Sequence, residues 1–234
     1  MNRKMKLLIA YDGSECAAAA LEDLRWAGLP PEAEAIVLSV SEHWLPPPSA
    51  FELADSDWQM GGADKALALA KRAAYSLNVD FPDWLVRAET ASGSPARKLI
   101  EKADEWEPDL LIVGSHGLTA LGRFMLGSVS QKIVTKARCS VRVARERAGG
   151  HIAARDNPVR LLIGVDGSAG AEAAVQSVLQ RQWSKGSQAR VVNAVLKLPP
   201  GTGQEMNVGR VADWMSSENA RVREAVESAE KRLR

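Results

Sequence analysis

Four residues, Gly114, Gly117, Gly127 and Ser128, are spaced G-x2-G-x9-G-S, a pattern suited to holding an anion on the backbone. They follow the apolar run Leu110-Leu111-Ile112-Val113, which is short, β-rich and without period, as a strand buried on both faces should be. Ser128 reads as a helix N-cap with Gln131 three residues on, the pattern of a capping box, so a helix is expected to begin there. Unbonded N–H groups at a helix start, backed by the positive end of the helix dipole, favour an anionic group such as phosphate. Gly114 and Gly117 would let the backbone approach a ligand with no Cβ in the way. No lysine follows the last glycine, so the P-loop pattern fails. The spacing is not the dinucleotide fingerprint either. The plainer reading is a pair of turn glycines and a serine that only caps its helix.

The elements that must hold this loop are readable in chain order. Met5 to Tyr11 is expected to be a buried first strand, broken by Asp12-Gly13-Ser14. Ser14 can cap a helix through about Trp26, with Ala17 to Ala20, Leu21 and Leu24 giving a small face for close packing. Gly28, Pro30 and Pro31 end it. A second strand is expected over Ala35 to Val40. A long connection from His43 to Asp57 follows, then a helix over about Gln59 to Leu77. Asp83 to Ala91 reads as a third strand. Ser94-Pro95 starts a helix that runs to about Trp106. Ser140 to Ala144 is a fifth strand. Strands alternating with helices imply right-handed crossovers and a parallel sheet, with ligands outside the strands' carboxyl ends.

In this strand-to-helix context the glycine pattern resembles the nucleotide-binding signature of the universal stress protein family, in its ATP-binding branch. The segment GSVSQKIVTKARCSVRVARE is also similar to that family's closing helix and strand. The resemblance covers residues 4 to 145 and extends to 159 to 234 as half a domain. It implies an α/β fold with an open parallel five-stranded sheet in the order 3-2-1-4-5, helices on both faces, and a partial second copy. The switch point then lies between strands one and four, whose carboxyl ends are Tyr11-Asp12-Gly13 and Val113-Gly114-Ser115.

By the same resemblance, Asp12 contacts the adenosine part of a nucleotide, and Val40 offers its backbone to adenine, with Ala10 a similar case. The N–H groups of Gly127, Ser128 and Val129 are expected to face the phosphates. The Ser128 and Ser130 hydroxyls add bonds. Ser115 and His116 are placed to touch ribose or phosphate, and Arg123 to clamp a phosphate. For Asp12 the alternative is a turn aspartate, for His116 a solvated loop histidine, and for Arg123 an exposed loop arginine. The implied ligand is ATP, or AMP or ADP, with a divalent cation such as Mg²⁺ on the phosphates. Family members associate through the fifth strand, so a homodimer through strand 140–144 is expected, with Arg142 pointing away from Val141 and Val143 and tolerant of change.

Composition narrows the classes. The chain has 234 residues, 46% of them hydrophobic, and a net charge of +1. That charge indicates no general attraction to nucleic acid or to an anionic membrane. No apolar run reaches the length of a membrane span. The basic N-terminus is followed by an apolar run too short for a signal peptide, so a cytoplasmic protein is expected. Cys16 and Cys139 form no metal or redox motif and read as core residues.

Residues 146–158 read as a linker, after which the chain repeats itself. Leu161 to Ser168 matches Leu7 to Ser14 at an offset of 154. Val191 to Val195 repeats the second strand, and Ser217 to Leu233 the second helix. No counterpart of strands three to five or of the glycine loop follows; whether that is a natural truncation or a fragment stays open. Asp166, Gly167 and Ser168 therefore read as structural remnants. The expected organisation is a nucleotide-binding domain over 1–145 and an incomplete second copy over 159–234. The leading functional reading is a nucleotide-dependent stress-response module. A slow ATP hydrolase ranks lower, because no acidic pair or Walker lysine is visible to support the chemistry. A dimeric interaction module that binds no nucleotide is opposed by the intact loop.

Overall fold

The computed structural model describes residues 3–42, 57–117, 126–145, 157–194 and 208–233, by backbone alone at 57–61 and 208–216. The chain divides into two compact units, Met1–Ile152 and Ala153–Arg234.

In the first unit the elements are β1 (Met5–Ala10), α1 (Glu15–Asp23), β2 (Ala33–Ser41), α2 (Asp57–Asp80), β3 (Leu85–Ser92), α3 (Pro95–Trp106), β4 (Leu110–Gly114), α4 (Ser128–Lys136) and β5 (Ser140–Ala144). The five strands form one sheet in the order β3-β2-β1-β4-β5, all parallel. The parallel sheet is what the alternating pattern implied, and the strand order is the one the resemblance implied. Because side chains alternate along a strand, each strand feeds two cores. Leu7, Ile9, Leu110 and Ile112 pack with Ala17 and Leu21 of α1 and with Ala70, Ala73 and Leu77 of α2. Leu8, Leu111 and Val113 pack on the other face with Leu99 and Ala103 of α3 and Ile133 of α4.

Ser14 caps α1, its Oγ accepting from Ala17 N at 3.2 Å. The helical pattern does not run unbroken to Trp26; a 3-10 turn, Leu24–Trp26, finishes it. The third strand starts at Leu85 rather than Asp83, because Trp84 N donates to Phe81 O at 3.1 Å and closes a turn first. Trp84 then stacks on Phe81 with ring centroids 3.9 Å apart.

Two expectations need correction. Ser128 is the first residue of α4 and not its N-cap; Gly127 occupies the cap, and no side chain bonds there. The capping box is therefore not formed. Arg142 is not free to vary, because its Nε donates to Asp23 Oδ2 at 2.6 Å and ties β5 to α1. Val141 and Val143 pack against the α3/α4 core. Cys16 and Cys139 are both free thiols. Burial pushes the Cys139 thiol up from its ordinary value.

The second unit contains β6 (Arg160–Gly164), α5 (Ala169–Leu179), β7 (Gln188–Val192) and α6 (Val208–Leu233). β6 and β7 pair in parallel, with a core of Ile163, Val165, Val175 and Ala229. β7 begins three residues before the apolar run that suggested it, since pairing with β6 engages Gln188 to Arg190 as well. α6 likewise begins earlier than Ser217.

Candidate functional site

The carboxyl ends of β1, β2 and β4 and the first turn of α4 enclose a cavity of about 600 Å³. Its lining includes Ala10, Asp12, Val40, Val113, Gly114, His116, Gly117, Gly127, Ser128, Val129 and Ser130. Of the residues expected at the site, Ser115 is buried behind the lining at 2% exposure, and Arg123 lies outside the described residues. The sequence reading missed Tyr11, Ser39, Ser41, Leu69, Pro95 and Leu99 among the lining residues. These are ordinary core or strand-end residue types, and only the closing of the sheet brings them together.

Asp12 does two things. Its Oδ1 accepts from Ser14 N at 2.9 Å, which holds the turn out of β1. Its Oδ2 faces the loop after β4, for a Cβ built on Gly117 would lie 2.8 Å from it. Turn capping and cavity lining are thus served by different oxygens of one carboxylate. The carboxyl end of β1 is fixed from the side as well. Tyr11 N donates to Leu38 O at 3.1 Å, and the buried Ser39 hydroxyl donates to Tyr11 O.

The three glycines differ in their reasons. A Cβ on Gly114 would stand 2.8 Å from the carbonyl carbon of Cys16 and 3.0 Å from Ala17 N. Gly114 is therefore required by the close approach of α1, although its backbone also lines the cavity. Gly117 alone meets the expectation of a residue whose missing side chain keeps the cavity clear. A Cβ on Gly127 would lie 3.3 Å from His116 Cα, so this glycine lets the helix start close over the 115–117 segment.

The donors at the start of α4 are fewer than expected. Gly127 N–H is committed to Ser115 O at 2.8 Å, and the Ser130 hydroxyl donates to Gly114 O at 2.7 Å. Both bonds lock α4 to the end of β4. The first helical hydrogen bond runs from Gln131 N to Gly127 O at 2.9 Å. The N–H groups of Ser128, Val129 and Ser130 precede it and have no partner within the helix. Ser128 is exposed, and its hydroxyl is at the same helix end. With the helix dipole behind them, these groups suit an anion.

Comparison with known proteins matches this unit as a whole. The model of the universal stress protein family fits residues 4–145. A curated universal stress protein of Bacillus subtilis is 30% identical over 154 residues, covering 60% of this chain and 98% of that protein. One from Methanocaldococcus jannaschii is 28% identical over 149 residues, covering 62% of this chain and 84% of that one. Among solved structures, a universal stress protein from Archaeoglobus fulgidus aligns over 92% of this chain and 73% of its own, with a TM-score of 0.56 and 15% identity. At that identity the likeness is one of fold, and its span exceeds the first unit.

Proposed function

The chain belongs to the universal stress protein family, and we propose that its first unit binds an adenine nucleotide and acts as a nucleotide-dependent stress-response module. One observation carries the reading. A carboxylate, a glycine kept clear of side chain and an anion-suited helix start line the same cavity, at the sheet's topological switch point. Its volume falls in the range of small-molecule sites.

In this reading the phosphates lie at the N–H groups of Ser128, Val129 and Ser130, with the Ser128 hydroxyl beside them. Adenine lies at the end of β2, against the backbone of Val40 and near Ala10. Asp12 Oδ2 faces the part of the nucleotide between them. Among the described residues no three His, Cys, Asp or Glu side chains converge on a metal position. In this reading a divalent cation such as Mg²⁺ rides on the phosphate oxygens. No helix among the described residues is long and apolar enough to cross a membrane. β5 is an outer strand of the sheet, and its open edge supports a homodimer through residues 140–144.

Mass spectrometry of ligand released from the purified protein tests the nucleotide reading. Recovery of ATP, ADP or AMP is expected. Protein that yields no adenine nucleotide, and takes up none when incubated with ATP, would return the chain to the reading of an interaction module.

A further inference from the structure

In the second unit α5 and α6 pack on the face of the β6–β7 sheet that holds Ile163 and Val191. Side chains alternate along a strand. The opposite face therefore carries Arg160, Leu162 and Gly164 of β6 beside Gln188, Arg190 and Val192 of β7. That face is open at its centre. Leu162 is 70% exposed, and a Cβ on Gly164 would meet nothing within 4 Å.

The same face of the first unit shows a covered version. There Leu8, Ile36 and Leu38 pack with Leu99 and Ala103 of α3 and Ile133 of α4. At the offset of 154 these strand positions become Leu162, Arg190 and Val192, and Ala10 becomes Gly164. An arginine thus stands where the first unit has an isoleucine 1% exposed. A purely apolar cover would bury the Arg190 guanidinium with no counter-charge, which is costly. Arg160 and Arg190 are exposed, and neither makes an ion pair among the described residues. The face holds two cations and no carboxylate. A second copy laid on it would set arginine against arginine, so like charge opposes self-association.

Its dimensions select an element. Two strands about 4.8 Å apart, with their side-chain margins, make a strip about 10 Å wide, which is one helix diameter. Five strand residues run about 17 Å, or about three helical turns. Gly164 lets a backbone come close at one end. We propose that this face docks one amphipathic helix of a protein partner, with its apolar stripe on Leu162 and Val192 and its acidic flank on Arg160 and Arg190. The surface belongs wholly to the second unit and calls for no nucleotide.

Fluorescence anisotropy on the full chain tests it with two labelled helical peptides of about 15 residues. Both carry leucines at i, i+3, i+4 and i+7; one is flanked by glutamates and the other by lysines. The glutamate peptide binds, more weakly as salt rises, and the lysine peptide binds at least about tenfold more weakly. Leu162→Asp weakens the glutamate peptide by about tenfold or more. Arg190→Glu weakens the glutamate peptide and strengthens the lysine one. Arg223→Glu makes the same charge change on an exposed position of α6 and leaves both affinities as they were. No binding of the glutamate peptide, equal affinities for the two, or as large a loss in Arg223→Glu as in Arg190→Glu would overturn the proposal. Recruitment to phosphatidylglycerol vesicles that Leu162→Asp abolishes would overturn it in favour of a membrane surface. A chain dimer, seen by ultracentrifugation, that Leu162→Asp dissociates would overturn it in favour of a second copy.

Discussion

The turns after β1 and after β6 are built alike and lead to different surroundings. In each, a serine N–H donates to the preceding aspartate Oδ1 at 2.9 Å, Ser14 to Asp12 and Ser168 to Asp166. In each, that serine's Oγ caps the next helix, accepting from Ala17 N at 3.2 Å and Ala171 N at 3.1 Å. The intervening glycines share a left-handed backbone, φ +82° at Gly13 and +75° at Gly167. The context is where they part. Leu8 of β1 is fully buried, whereas its counterpart Leu162 of β6 is 70% exposed. Ser14 is buried and Ser168 is not. The first turn faces β4 and the start of α4. The second faces Arg221 and Ala225 of α6. The D-G-S sequence thus makes a turn in either place, and a crevice forms only where a second strand end and helix start meet it.

The comparison breaks most sharply at the loop. Gly117→Val is expected to abolish nucleotide binding, a loss above a hundredfold by calorimetry, because the branched side chain enters the cavity at Asp12. The fold is expected to survive, since among the described residues the added Cβ meets a carboxylate oxygen at the far end of a side chain, and circular dichroism should be unchanged. A folded variant with parental affinity would remove Gly117 from the site.

A stability pair comes next. Gly114→Ala drives a methyl into the backbone of α1 and is expected to cost about 1–3 kcal/mol in urea unfolding. Gly164 in β6 has open space around its Cβ position. Gly164→Ala is expected to be neutral or to stabilise by roughly 0.5–1 kcal/mol. Equal losses at the two positions would contradict the close contact of α1 with β4.

The aspartates sharpen the contrast further. ATP at a hundred times its Kd should raise stability by about 2.7 kcal/mol. Asp12→Ala and Asp166→Ala each remove a turn bond and should lower the basal melting temperature comparably. Only Asp12→Ala should also reduce the gain from ATP, by about 1 kcal/mol. An equal reduction in both would mean that Asp12 acts through its turn alone.

The smallest effect is in pH. Hydrogen bonding by the Ser168 side chain, and then by its N–H, holds the Asp166 carboxyl below its ordinary 3.8. A depressed carboxyl contributes stability that is present above the unfolded value and is lost as pH falls through the folded one. NMR titration should find the Asp166 midpoint below 3.8, and Asp166→Asn should remove that acid-dependent component. A midpoint at or above the ordinary value would contradict the turn geometry.

Much of this was legible in the sequence. The apolar runs at Leu7 to Ile9 and Leu110 to Val113 read as doubly covered strands, because parallel strands under two helical layers have no polar face to alternate. Gly117 and Asp12 were readable because the glycine spacing and the strand end bear directly on the cavity. What escaped is what depends on packing between distant segments. That Gly114 makes room for Cys16, and that the N–H of Gly127 and the hydroxyl of Ser130 are already engaged, follows from how α1 and α4 close on β4. Ser128 followed by Gln131 matched a capping box, but the glycine before it took the cap. Arg142 looked like an outward edge residue until Asp23 of α1 lay beneath it.

On the proposed reading the nucleotide belongs to the crevice of the first unit and not to the repeated turn of the second. Titration calorimetry of the full chain with ATP and Mg²⁺ separates the two placements. One nucleotide per chain is expected, with binding lost in Gly117→Val and retained in Asp166→Ala. No binding in the parent chain, or one site surviving in Gly117→Val and lost in Asp166→Ala, would contradict it.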